Sequence, residues 1–299
     1  MRRLYVGVDG GGTHARAAVI DDDGRELARR TGPAGLVDPR EPSGAATVVA
    51  QLARDALHDA GADMATALCC GLAGAGRPQE REAVRVALTL EHVAERVVVV
   101  GDAEAAMADA FPDGSGVLVV AGTGSIAWAR ASDRAPIRVG GWGRILGDEG
   151  SAYDIAMAGL RTVARAHDGR LPRTTLTDAL ITTLRMHSPD DLIAWAAAAS
   201  KAEIAALAPI VLSCAGQGDR AAAAILEHAV RSIVLLAVTA ASRAGLESPE
   251  IALMGGLIAR SGPLRGAVAD ALRRELPGCT IIDRTVDAVL GAARLARAL

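Results

Sequence analysis

Apolar and polar positions along this chain repeat with two different periods, and the switches between them divide it into elements. Leu4-Tyr5-Val6-Gly7-Val8 is a continuous apolar run that ends in Asp9-Gly10-Gly11-Gly12-Thr13, the pattern of a buried strand entering a turn. His14 to Ile20 resumes as a strand, Asp21-Asp22-Asp23-Gly24 reads as a hairpin turn, and residues 25–30 form a third strand. Prolines and glycines then exclude regular structure over residues 32–43. Beyond them, Ala, Val and Leu recur at helical spacing over 44–60, and residues 65–72 read as a strand. Pro78 opens a helix over 79–90, residues 96–100 are a β-branched run, and 103–110 are helical.

Pro112-Asp113-Gly114-Ser115-Gly116 breaks the pattern, which then starts again. A strand over 117–121 leads to the glycine loop Gly122-Thr123-Gly124-Ser125 and a second strand over 126–130. Helices are expected over 149–167, 174–185, 189–215 with a break near Ala199, and 219–244. A strand at 251–254, a helix at 261–275, a strand at 280–282 and a helix at 286–298 complete the chain. Hairpins followed by alternating strands and helices, twice over, predict two α/β domains, residues 1–112 and 113–299, with helix 286–299 available to pack back on the first. Glycine turns at the facing edges of the two sheets would place a nucleotide in a cleft between the domains.

Composition narrows the partners. With 51% hydrophobic and 22% charged residues and a net charge of −3, the chain is globular and lacks the basic footprint of a nucleic-acid or anionic-membrane binder. The apolar run at 233–241 is too short to span a bilayer, and Asp9 interrupts any signal-peptide core, so a cytoplasmic protein is expected. Cys69, Cys70, Cys214 and Cys279 show no metal-ligand spacing and read as reduced thiols, the first two inside a strand.

Two glycine loops carry the chemistry. Gly10, Gly11 and Gly12 let the backbone approach a polyphosphate and point N–H groups at it, Thr13 adds a hydroxyl, and Asp9 can hold a hydrated Mg²⁺ beside the phosphates. A tight hairpin would also favour such glycines. Gly122, Thr123, Gly124 and Ser125 repeat the arrangement after a second buried strand, which chance hairpins seldom do. Neither is a Walker loop, since no Gly-Lys-Ser/Thr occurs and the only lysine is Lys201.

Asp102 follows a β-branched strand and opens a helix, which suits either an N-cap or the base that accepts the proton of an attacking hydroxyl. The glycine-dense stretch 140–151 suits a polyol ligand, with Asp148 and Glu149 accepting hydrogen bonds next to Gly147. Gly255 and Gly256, between a strand and a helix, would let a nucleoside lie flat on the backbone.

In this order the blocks resemble the BadF/BadG/BcrA/BcrD-type ATPase family, end to end, and within it the N-acetylglucosamine kinase-like branch of the sugar kinase, Hsp70 and actin superfamily. Gly-Gly-Trp-Gly-Arg-Ile-Leu-Gly-Asp-Glu-Gly-Ser-Ala-Tyr at 140–153 is the most specific match. The resemblance implies two ribonuclease H-like (actin-like ATPase) domains, Mg-ATP as cofactor, a sugar substrate and a homodimer. It also implies that loop 9–13 is phosphate 1, loop 122–125 phosphate 2, Gly255-Gly256 the adenosine motif, Asp102 the general base and Asp148 a sugar ligand.

The chain departs from that family in the sugar site. The family's acetamido site commonly uses an asparagine after the third strand, whereas residues 32–38 have none and the chain contains no asparagine at all. Ala73 stands where some relatives have a sugar-contacting serine. Asp38 or Arg40 is the available substitute, which would suit glucosamine, a related amino sugar or another polyol. The expected function is therefore an ATP-dependent kinase acting on a hydroxyl of a hexose or amino sugar. Alternatives within that class are a glucosamine or N-acetylmuramic acid kinase. Outside it stand an ATPase activator of a redox partner enzyme, and a sugar sensor that kept the fold and lost catalysis.

Overall fold

The computed structural model describes residues 2–11, 14–35, 37–38, 41, 43–75, 77–132 and 134–299. The chain forms two compact units, Met1–Gly114 together with Val286–Leu299, and Ser115–Thr285.

In the first unit, strands β1 (Leu4–Gly10), β2 (Ala15–Asp21) and β3 (Glu26–Gly32) form an antiparallel meander. Helix α1 (Gly44–Asp59) leads to β4 (Ala65–Leu72), helix α2 (Pro78–Leu90) to β5 (Ala94–Gly101), and α3 (Asp102–Ala110) follows directly. The sheet order is β3-β2-β1-β4-β5, with β1, β4 and β5 parallel. Covered on both faces, β1 and β4 need continuous apolar runs, whereas the edge strand β3 is largely exposed and carries arginines. The C-terminal helix Ala288–Arg297 packs on β1 and against α3. Gly7 lets it do so, since a Cβ there would lie 2.2 Å from the Ala293 nitrogen. Asp109, buried in α3, pairs with Arg294 and accepts from the Asp287 N–H, tying that helix down.

The second unit repeats the arrangement. Strands β6 (Gly116–Ala121), β7 (Ser125–Arg130) and β8 (Ile137–Gly140) form the meander, and after a helical region β9 (Glu250–Met254) and β10 (Thr280–Ile281) join parallel to β6, in the order β10-β9-β6-β7-β8. Between β8 and β9 come α4 (Gly143–Leu146), α5 (Ala152–His167), α6 (Thr175–Thr183), α7 (Leu192–Ala198), α8 (Lys201–Ala205), α9 (Ala208–Gly216) and α10 (Arg220–Ala244). Helix α11 (Arg265–Glu275) precedes β10.

Three features differ from the sequence expectation. The short β8 and α4 lie in what reads as loop, because four residues are too few to show a period. Residues 189–215 break twice. Ser200 and Glu203 form a capping box that starts α8, and Pro209 sits in the first turn of α9. Finally, α10 is long and apolar enough to cross a membrane, yet here it packs on β6, β7 and β8 with Ile233, Ala237 and Ala240 buried.

Asp219 joins two of these helices. Its Oδ1 caps α10 by accepting from the Ala222 N–H at 2.9 Å, while Oδ2 accepts from the Thr174 hydroxyl, the Thr175 N–H and the Thr175 hydroxyl at the start of α6. Partial burial pushes its carboxyl up, but these donors together outweigh burial and hold it at about 2. A lowered folded value means that the stabilisation is complete above the ordinary carboxylate range and fades as pH falls from about 4 towards 2. Asp219→Ala should cost about 1–2 kcal/mol in urea unfolding at pH 7, with the deficit shrinking on acidification over that window. An unchanged midpoint at pH 7 would refute the staple.

Candidate active site

Within the first unit, the carboxyl ends of three parallel strands stand side by side. Asp9 lies opposite Gly71 of β4, and Gly71 opposite Val100 of β5, so the residues following β1, β4 and β5 emerge at one edge of the sheet. This is where α/β sheets gather ligands. The turn after β1 is braced from two sides: Gly10 O accepts from Ala73 N at 2.8 Å and Gly11 O from Gly35 N at 3.2 Å. Val37 N in turn donates to Ala73 O at 3.0 Å, so the segment after β3 and the one after β4 meet beside Gly10 and Gly11. Asp38 is exposed and forms a bridge with Glu41. Gly12, Thr13 and Arg40 lie outside the described residues. Asp9 is partly claimed already, its Oδ2 accepting from Arg16 Nη2 at 2.7 Å.

Asp102 is not an N-cap. Gly101 occupies that position and Asp102 is the first residue of α3, its Oδ1 accepting from the adjacent Ala103 N–H at 2.8 Å. The side chain is open to solvent, yet it is surrounded densely enough that burial pushes its carboxyl above the usual carboxylate range. The Ala103 N–H opposes that shift, and the negative charges of Asp9 and Glu104 add to it. Arg81 of α2 pairs at 2.6 Å with Glu104, which lies two residues beyond Asp102 on α3. An accessible carboxylate with raised basicity at the carboxyl end of a strand is equipped to accept a proton.

Within the second unit, the turn between β6 and β7 is built on its neighbours. Gly122 N donates to Gly124 O at 2.9 Å, and Ala152 N, at the start of α5, donates to Gly122 O at 2.8 Å. Ser125 is buried: its N–H donates to Asp148 Oδ1 at 3.2 Å and its hydroxyl to the Glu149 carbonyl at 2.7 Å. Thr123 is the exposed apex, and among the described residues neither its N–H nor that of Gly124 has an acceptor. Gly255-Gly256 lies beside this turn, with Leu257 N donating to Ala121 O at 3.1 Å. A Cβ at Gly255 would lie 2.3 Å from that same oxygen, and at a φ of 90° the position is glycine's. Gly256 faces open space, and a Cβ at Gly122 would lie 3.7 Å from the Gly256 nitrogen. Gly122 and Gly256 therefore form one open stretch of backbone surface.

A family model for the BadF/BadG/BcrA/BcrD ATPases matches residues 6–296 of this chain. The chain belongs to the BadF/BadG/BcrA/BcrD ATPase family. It is similar to the N-acetylmuramic acid/N-acetylglucosamine kinase of Clostridium acetobutylicum, 28% identical over 301 residues that cover 99% of this chain and 98% of that one. It is also similar to the N-acetyl-D-glucosamine kinase of Dictyostelium discoideum, 29% identical over 313 residues, with 99% and 98% covered. The crystal structure of a proposed N-acetylglucosamine kinase from Chromobacterium violaceum matches with a TM-score of 0.77 at 27% identity, covering 98% of this chain and 99% of that one. The fold is that of the actin-like ATPases.

For this BadF/BadG/BcrA/BcrD ATPase, the geometry shows what surrounds two of the expected site residues. Ser125 directs its N–H to Asp148 and its hydroxyl to the Glu149 carbonyl. Asp148 is buried. It is 4% exposed, in a left-handed conformation (φ 62°), and faces Ser125 and Lys201. Glu149 is the exposed carboxylate of the pair, next to Gly147.

The structure also brings in a residue the sequence reading had set aside. Lys201, remote along the chain, places Nζ 2.7 Å from Asp148 Oδ2. No local pattern signals this, since the pairing depends on how α8 folds back. Cys69 and Cys70 are core residues of β4, and burial pushes the Cys69 thiol up to about 12 and the Cys70 thiol well above its usual range.

Proposed function

We propose that this protein is an ATP-dependent kinase that transfers the γ-phosphoryl group to a hydroxyl of an amino sugar of the N-acetylglucosamine type. The observation that carries the reading is Asp102: an accessible carboxylate of raised basicity at a strand end, beside the glycine turn after β1, in a chain whose full-length relatives are named as kinases of such sugars. Asp102 takes the proton of the sugar hydroxyl as its oxygen attacks the γ-phosphorus. The bond to the β-phosphate oxygen breaks, leaving ADP, a sugar phosphate and a protonated Asp102.

The backbone of Gly10, Gly11, Gly12 and Thr13 and that of Gly122, Thr123 and Gly124 are assigned to the phosphates, and Gly255-Gly256 to the nucleoside. The open surface of Gly122 and Gly256, which a side chain would fill, fits a ligand pressed against backbone. Mg²⁺ would neutralise charge on the β- and γ-phosphates. Asp9 is assigned to it through water, a fit that the Arg16 pair allows because it engages Oδ2 alone. Gly147 and Glu149 are assigned to sugar hydroxyls. Cytoplasmic location and a homodimer complete the proposal, the first supported by unpaired core thiols.

Asp38, exposed near Ala73 where the chain has no asparagine, favours an acceptor with a positive or hydrogen-bond-donating substituent at C2. The test is ADP release with Mg-ATP and N-acetylglucosamine, glucosamine, N-acetylmuramic acid, N-acetylmannosamine or glucose, followed by mapping of the phosphorylated position. At least one C2-amino sugar should stimulate ADP release about 100-fold or more over ATP alone and exceed glucose. Release that no sugar stimulates would defeat the kinase assignment.

A further inference from the structure

Lys201 is the sole lysine of the chain and sits at the first position of α8, behind the capping box of Ser200 and Glu203. Its surroundings are unusual for a structural ion pair. Asp148 is almost fully buried and Oδ2 accepts no aligned hydrogen bond, although Nζ stands 2.7 Å away. Lys201 keeps about a third of its side chain exposed, and among the described residues its ammonium has no aligned acceptor for any N–H. The pair is held by charge at 2.7 Å, and an ammonium has three donors, so it can take a second acceptor beside Asp148.

The cation also lies on the turn between β6 and β7. A Cβ at Gly124 would come 2.9 Å from Nζ and 2.6 Å from Asp148 Oδ1, so glycine at 124 is what allows the ammonium and carboxylate to approach the turn's backbone. That turn has only modest means of binding a polyanion. Its Gly122 N–H is spent on Gly124 O and its Ser125 N–H on Asp148, which leaves the N–H groups of Thr123 and Gly124 and the Thr123 hydroxyl. A triphosphate carries several negative charges, and three neutral donors do not balance them. Mg²⁺ would balance part of that charge, and Lys201 is a cation already set against the turn.

We infer that Lys201 is the phosphate-binding cation of this turn, held ready by Asp148 and donating to a phosphate oxygen of ATP when the nucleotide arrives. It would supply from a separate helix what a Walker lysine supplies from within its loop. The inference rests on the kinase reading and deepens it. Asp148 acts as the counter-charge that stores the ammonium in position, which accounts for a buried carboxylate oxygen without a hydrogen bond.

The test compares ATP affinity by calorimetry, and KM for ATP against KM for sugar, in the wild type, Lys201→Met and the double variant Lys201→Met/Asp148→Asn. Losing a charge-assisted contact should weaken ATP binding and raise its KM about 10- to 100-fold, with the sugar KM changed by less than about two-fold. The double variant should stay as weak as the single one, because neutralising Asp148 does not replace the lost contact. Recovery of ATP affinity in the double variant would overturn the inference, showing that Lys201 only neutralises Asp148. So would a Lys201→Met variant that binds ATP like the wild type.

A second measurement needs no variant. Pyridoxal phosphate with borohydride has one lysine side chain to modify, and saturating ATP should protect it. Modification unaffected by ATP would count against the inference even if Lys201→Met failed to fold. A wild type that binds no ATP at all would overturn the kinase reading itself, an outcome distinct from ATP binding that is indifferent to Lys201.

Discussion

Asp102→Asn is expected to lower kcat for the sugar kinase reaction by roughly 100- to 10,000-fold while leaving ATP affinity close to that of the wild type. Asparagine keeps the shape and the Ala103 contact but cannot accept the hydroxyl proton. The variant also has a built-in control. The folded carboxyl is raised, so its ionised form is disfavoured by folding at neutral pH, and removing the charge should leave the protein at least as stable as before. Low activity in a protein with an unchanged or higher unfolding midpoint is therefore the expected pair of results. In the wild type, activity should fall on acidification as Asp102 takes up a proton. The raised value puts that limb above the ordinary carboxylate range of about 3.9. A variant retaining most of its sugar-dependent ADP production would remove Asp102 from the role of base.

The largest effect on stability is expected from Gly291→Ala in the C-terminal helix. A Cβ at that position would lie 1.9 Å from the Ala105 carbonyl oxygen and 2.9 Å from the Asp109 nitrogen, both backbone atoms of α3. Backbone inside a helix cannot rotate away as a side chain would, so the two helices must separate. Overpacking of this kind costs about 3 kcal/mol or more. Asp109, buried between Arg294 and the Asp287 N–H, would lose its geometry in the same movement. Because α3 begins with Asp102, kcat should fall as well, and by more than the stability loss alone explains at a temperature where the variant is still folded. Equilibrium unfolding in urea together with kinetics well below the midpoint checks both parts. A stability within about 0.5 kcal/mol of the wild type would show that the helices do not meet as closely as described.

Much of the architecture was legible because local patterns report it. Period-2 and continuous apolar runs marked β1, β4, β5 and β6 to within about two residues, the usual reach of such reasoning. The break at Pro112–Gly116 exposed the repetition of one strand order in both sheets. Asp102 was legible as a candidate for a similar reason, since its position after a β-branched strand is a local fact. By position alone it suits an N-cap or a base, and only the placement of Gly101 at the cap excludes the former.

The chain's own pattern of residues thus determined the elements, the twofold α/β plan and the glycine turns, since each depends on neighbours a few positions apart. Tertiary structure decided which polar groups remain for a ligand. The partners of Ser125 and Asp148, namely Glu149 O, Ser125 N and Lys201 Nζ, come together only when β7, the turn before α5 and α8 are folded. Hydrogen bonds and ion pairs act over about 3 Å in space with no regard for sequence separation, so no period along the chain encodes them. The same reason hid Lys201 from the sequence and placed it against Gly124.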